Sequence, residues 1–181
     1  MTDDTVLTPV ARRFILHWGE MGTRWGVNRT VAQVHALLYL SPEPLTAETI
    51  ASTLSVARSN VSNSLRELQG WGIVRVVHTL GDRRDHFESM KDVWEMFQVI
   101  LDERKRREID PTIQMLQASM AELEKPGADA HARKRLKEML GFFEAATTVY
   151  VEVRRLPLPI LRGLVKLKGR LEKILEAGLS K

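Results

Sequence analysis

The chain has 181 residues, no cysteine, and a formal charge of +4 from 27 Lys and Arg against 23 Asp and Glu. That length fits one domain, or one small domain with an appendage, and 44% apolar with 28% charged residues excludes a wholly disordered chain and a membrane protein. Without cysteine there is no disulfide scaffold, zinc ribbon, iron–sulfur site or thiol nucleophile. A cytoplasmic location is expected: Met1-Thr2-Asp3-Asp4 is acidic where a signal peptide is basic. No apolar run approaches the ~20 residues of a membrane span.

The charge excess is too small to identify a nucleic-acid binder. Residues 1–90 hold nine basic and nine acidic side chains, and 91–181 hold eighteen and fourteen. The surplus therefore lies in the C-terminal half, and local pattern has to carry the reading.

Phe14, Ile15 and Trp18 recur at helical spacing ahead of a glycine-containing stretch, Gly19, Gly22 and Gly26. Val31, Val34, Leu37 and Leu38 mark a second helix. Ser41-Pro42-Glu43-Pro44 stops it, because proline cannot continue the ladder and restricts its predecessor. Thr46 is placed to N-cap a short helix reaching about Leu54, with Glu48 in its first turn, where the dipole favours anions. Ser55 is a second cap candidate. The next helix, about Val56 to Gln69, sets Val61, Leu65 and Leu68 on one face and ends near Gly70 or Gly72. Ile73 to His78 is rich in β-branched residues, Gly81-Asp82-Arg83-Arg84-Asp85 is a polar turn, and His86-Phe87-Glu88 returns: a β-hairpin. His78 and His86 lie symmetrically about Asp82, which would make them cross-strand neighbours. No further ligand accompanies them, so no metal site is expected.

The second half is helical. Met90, Val93, Phe97, Ile100 and Arg104 follow one stripe. Ile109, Ile113, Leu116, Met120 and Leu123 form a heptad-like seam. Asp110-Pro111 is a kink, or the cap and first residue of a fresh helix. Pro126-Gly127 ends this element. A further helix carries Leu136, Met139, Leu140, Phe143 and Tyr150, and a basic tail carries Ile160, Leu164, Leu167, Leu171 and Ile174. These seams need apolar partners, within the chain or across a dimer. The expected class is mainly α with a small β-hairpin wing (α+β). Residues 1–90 form a winged helix-turn-helix unit, and 91–181 a helical dimerisation and effector region.

Short helices followed by a basic hairpin are the winged helix-turn-helix signature. The outer face of the Val56–Gln69 helix shows Arg58, Ser59, Asn60, Ser62, Asn63 and Arg66, with no carboxylate before Glu67. Short polar side chains let a helix lie deep in a major groove. Arg pairs bidentately with guanine, Asn with adenine, and Ser suits phosphate. Arg83 and Arg84 at the hairpin tip could reach a narrow minor groove. Taken alone, the tip is equally a solvated charged turn.

Several motifs in order resemble the GbsR-type branch of the MarR family. They are Ser41-Pro42-Glu43-Pro44-Leu45-Thr46, Asn60-Val61-Ser62, Leu65-Arg66-Glu67-Leu68, Trp71-Gly72, Gly81-Asp82-Arg83-Arg84-Asp85, and Lys91-Asp92-Val93-Trp94-Glu95-Met96-Phe97 with Glu103-Arg104-Lys105-Arg106-Arg107-Glu108. The resemblance is good over about residues 28–124. The chain departs from it at Ala57 and Ser59, where many relatives have Ser and Gly. It implies a dimeric winged-helix transcriptional regulator. The expectation is a homodimeric repressor that binds double-stranded DNA, with Thr46, Arg58, Ser59, Asn60, Ser62, Asn63, Arg66, Arg83 and Arg84 as the candidate contacts. Relatives in this branch respond to choline or glycine betaine, and aromatic faces hold a quaternary ammonium by cation–π attraction. Trp71, Trp94 and Phe97 are the candidate cage, with core packing as the alternative. No cofactor beyond such an effector is implied.

Three rivals remain. An enzyme finds no support, since there is no nucleophile–base motif or P-loop, and Gly19, Gly22 and Gly26 fail the dinucleotide fingerprint. A membrane-surface protein would use the tail, where Arg162, Lys166, Lys168, Arg170 and Lys173 alternate with the apolar stripe. A winged-helix protein–protein adaptor shares the fold without reading DNA.

Overall fold

The computed structural model describes residues 7–125, 129–163 and 167. Two compact units divide the chain, one through Ile100 and one from Leu101. Among the described residues no helix is long and apolar enough to cross a membrane.

The first unit begins with α1 (Pro9–Arg24), whose N-cap Thr8 accepts a hydrogen bond from the Ala11 N–H at 3.2 Å. Helix α2 (Arg29–Leu40) is capped by Asn28 in the same way, through the Thr30 N–H at 2.8 Å. Helix α1 does not stop at its glycines. Gly19 and Gly22 are buried inside it, and a Cβ on Gly22 would lie 2.6 Å from the Ala32 Cβ. Here tertiary contact outweighs helix propensity: the glycines let α1 and α2 approach closely.

Strand β1 (Leu45–Thr46) leads directly into α3 (Ala47–Leu54). Thr46 caps α3, its Oγ1 accepting from the Thr49 N–H at 3.2 Å. Ser55 closes α3 at its C-terminal end, in the left-handed region at φ 54°. It is therefore not the cap of the next helix, α4 (Arg58–Gly70), which starts at Ala57 without a side-chain cap. Gly72, at φ 78°, turns the chain from α4 into β2 (Val74–Val77).

Strands β2 and β3 (His86–Ser89) form the expected hairpin, but the sheet has a third strand, in the order β1-β3-β2, all antiparallel. Leu45 pairs with Phe87, and Val76 pairs with Phe87 from the other side. Two residues are too few to signal a strand by alternation, so β1 was invisible to pattern. The hairpin register sets His86 opposite Val77 rather than His78. The loop is thus not centred on Asp82, and His78 instead lies 3.9 Å from Asp85.

The core of this unit draws on every element. Val34, Ile50 and Val61 are fully buried, joined by Leu37, Leu38, Leu65, Leu68, Ile73, Val74 and Phe87. Just past β3, Lys91 Nζ donates to the carbonyls of Leu38, Tyr39 and Ser41 at 3.0, 3.1 and 2.7 Å. It satisfies carbonyls that the end of α2 leaves open and ties the hairpin base to that helix.

Helix α5 (Val93–Arg104) is capped by Asp92, which accepts from the N–H groups of Trp94 and Glu95. A π-helical turn, Lys105–Ile109, joins it to α6 (Asp110–Glu122). Ile109 and Asp110 keep right-handed helical backbone. Asp110-Pro111 is therefore neither a cap nor a fresh start: the wider turn absorbs a residue with no N–H and a bulky ring. Helix α7 (Ala130–Arg155) is capped by Asp129 and packs with α6, where Leu116 is fully buried. The Tyr150 hydroxyl donates to Asp102, and Arg154 Nε donates to the same carboxylate at 3.0 Å. Burial, then the Asp102 bond, pushes the Tyr150 phenol up to about 12.

The second apolar series of the sequence divides on α7. Leu136, Leu140, Phe143 and Tyr150 are half-buried, whereas Met139, Phe142, Val149 and Val153 are exposed along a separate stripe. The stop at Pro126-Gly127 and most of the tail, including Leu164, Lys166, Lys168, Arg170, Leu171, Lys173 and Ile174, lie outside the described residues.

Candidate nucleic-acid interface

Helix α4 has two faces for a simple reason: its apolar residues recur at three and four. Val61, Leu65 and Leu68 point into the core, with Ser64 bonded back to the Asn60 carbonyl at 2.8 Å. Away from the core, Arg58, Ser59, Asn60, Asn63 and Arg66 are exposed, and Ser62 is half-buried. Thr46 is different. It is 4% exposed and its hydroxyl is engaged with Thr49, so it positions α3 rather than facing solvent.

Three of the arginines are held, not loose. Arg66 donates to Asn63 Oδ1 at 3.0 Å. Arg58 lies 2.9 Å from Glu48 on α3. At the hairpin tip the Asp82 carboxylate accepts from the Arg84 backbone N–H at 2.9 Å and from its guanidinium at 2.5–3.0 Å. The Arg84 hydrogen bonds hold the Asp82 carboxyl well below the usual carboxylate range. His86 adds a contact to Asp82 at 3.6 Å and one from Nδ1 to the Arg84 carbonyl at 3.1 Å. Arg83 is exposed beside them with no ion pair among the described residues.

Between α4 and the hairpin runs a groove of about 300 Å³. Arg58, Ser62, Arg66 and Gln69 come from α4, Arg84 and Asp85 from the hairpin, and Glu48 from α3. Three guanidinium groups thus converge on one channel from elements that the core holds in place. Planar forks with several donors suit phosphate oxygens and purine edges, and the Ser62 side chain between them is short enough to permit close approach. Pattern identified the arginines one by one; it did not identify Glu48 and Gln69 as their neighbours.

Of the candidate effector residues, Trp71 closes α4 and packs against the core, Trp94 is half-buried and Phe97 is 55% exposed. A further group of rings assembles on α1 and α2. Trp18 stacks on Phe14 at 5.5 Å and meets Trp25 and His35 at 6.4 and 6.5 Å, and His35 meets Tyr39 at 6.4 Å. Phe14, Trp18, His35 and Tyr39, with Val93 and Met96, line a cavity of about 100 Å³. The signal was present as two i,i+4 aromatic pairs, 14/18 on α1 and 35/39 on α2. Among the described residues no three side chains of metal-binding type cluster.

A model of the MarR family matches residues 25–85, from the end of α1 to the hairpin tip. A crystal structure of a transcriptional regulator aligns with a TM-score of 0.64 and 21% identity, covering 81% of this chain and 96% of that one. The shared winged-helix fold follows from that likeness. A mutant of S. aureus MepR bound to an oligodeoxyribonucleotide aligns at a TM-score of 0.38 and 15% identity, over 76% of this chain and 92% of that one. No protein of curated function matches the chain.

Proposed function

We propose that the protein is a sequence-specific DNA-binding transcriptional regulator of MarR type, a homodimeric repressor whose DNA binding a small molecule modulates. The observation that carries the reading is the groove between α4 and the hairpin wing. Arg58, Arg66 and Arg84 line it, on a folded unit whose residues 25–85 match a MarR family model. In this reading α4 enters the major groove, where Arg66, Asn63 and Asn60 meet base edges. Ser59 and Ser62 meet phosphate, and Arg83 and Arg84 follow the adjacent backbone or minor groove. Thr46 contributes by holding α3 in place.

Dimerisation is supported by the exposed stripe on α7, since Met139, Phe142, Val149 and Val153 form an apolar row left uncovered among the described residues. A two-fold axis would set two α4 helices about 34 Å apart, one turn of duplex. The GbsR-type assignment rests on the motifs in α4, the wing and α5. For the effector, the ring-lined cavity at Trp18 is a second candidate site beside Trp71, Trp94 and Phe97. Choline and glycine betaine are the first ligands to titrate against tryptophan fluorescence and DNA affinity.

The test is binding to duplex DNA over a salt series. Arg66→Ala is expected to weaken binding and relax sequence preference, by roughly tenfold or more if a bidentate base contact is lost. Arg84→Ala is expected to weaken binding across all sequences and to flatten the salt dependence by about one counterion. If neither variant changes affinity, α4 and the wing are not a DNA surface, and the adaptor reading takes its place.

A further inference from the structure

The groove between α4 and the wing is not uniformly basic. Glu48, in the first turn of α3, lines it together with Arg58, Arg66 and Arg84. Its Oε1 lies 2.9 Å from the Arg58 guanidinium, and the two side chains are 52% and 58% exposed. An ion pair in that setting is weak, because water screens it and two long chains give up rotamers. What it contributes is direction. Arg58 begins α4, and the pair turns its guanidinium toward α3 instead of leaving it to sweep the surface. An anion on the groove wall also opposes phosphate. Capping of α3 does not require this carboxylate, since Thr46 already supplies the cap.

Resting on the DNA reading above, we infer that Glu48 is a specificity-determining residue that withholds Arg58 from the backbone of non-matching DNA. On a duplex held only through loose phosphate contacts, Arg58 stays with Glu48 and adds nothing to affinity. On a duplex that lets α4 seat fully, base edges or phosphates come close enough to replace the carboxylate. The penalty therefore falls on the wrong sequences, which is how a repulsive group raises discrimination.

Glu48→Gln removes the charge and keeps the side chain's size at an exposed position. Affinities are measured for a duplex selected from a random pool and for a scrambled duplex of equal length. Wild type, Glu48→Gln, Arg58→Ala and the double variant are compared over a salt series. Glu48→Gln is expected to bind the scrambled duplex about three- to fivefold more tightly at low salt, with a salt slope steeper by about one. The selected duplex gains less, so the ratio of the two affinities falls. In the Arg58→Ala background, Glu48→Gln leaves that ratio unchanged. Equal gains on both duplexes, or the same loss of discrimination without Arg58, would overturn the inference and make Glu48 a general surface charge. A wild-type protein that binds no duplex overturns the DNA reading itself, and this inference with it.

Discussion

His35 is the most confined titratable side chain of the first unit. It is 4% exposed between Trp18 and Tyr39, and its Nε2 has no hydrogen-bond partner among the described residues. Burial lowers its pKa from 6.5 to about 4. Between those values the unfolded chain binds a proton that the folded chain refuses. Stability is then complete above about pH 6.5 and falls as the pH drops toward 4, by roughly 3 kcal/mol in all. Denaturant midpoints at pH 7 and 4.5 should show this loss in the wild type and a much smaller one in His35→Leu. An equal acid loss in both proteins would show that the proton goes elsewhere. At the same scale, Arg66 was legible because helical period turns it away from Val61, Leu65 and Leu68, whereas Arg58 is exposed as the first residue of α4. Their partners were only partly legible. Asn63 is one turn from Arg66, but Glu48 lies ten residues before Arg58 on another helix, and no periodicity connects them.

At the scale of elements, type was easier to read than extent. Helices α2, α3 and α4 and the hairpin follow from apolar period, a threonine cap and β-branched residues, all local signals. The end of α1, the strand β1 and the turn before Pro111 depend on what lies across the fold. Gly22 is the sharpest case. Read locally it weakens a helix; in the packed unit it is the contact with Ala32. Gly22→Ala gains up to about 1 kcal/mol of helix propensity but places a Cβ 2.6 Å from one that cannot rotate away. Overpacking of that kind costs about 1–3 kcal/mol. A lower melting temperature is expected, and a rise would mean that α1 and α2 are not so close.

For the whole molecule, the charge of +4 is a poor guide to function. Arg58, Arg66 and Arg84 are few, paired and converging, while the surplus belongs to the second half. Affinity should then depend on a handful of placed contacts, and its fall with salt should match a small number of released counterions. The division into two units, one ending at Ile100, leaves the groove entirely on the first and the exposed α7 stripe entirely on the second. The proposed regulator joins them through its symmetry: two copies, two α4 helices, one duplex. Selection of bound duplexes from a random pool by the intact chain tests this most directly. A homodimer of this kind is expected to enrich a palindrome whose half-sites are centred about 10–10.5 base pairs apart. No enrichment, or a single unpaired half-site, would contradict it.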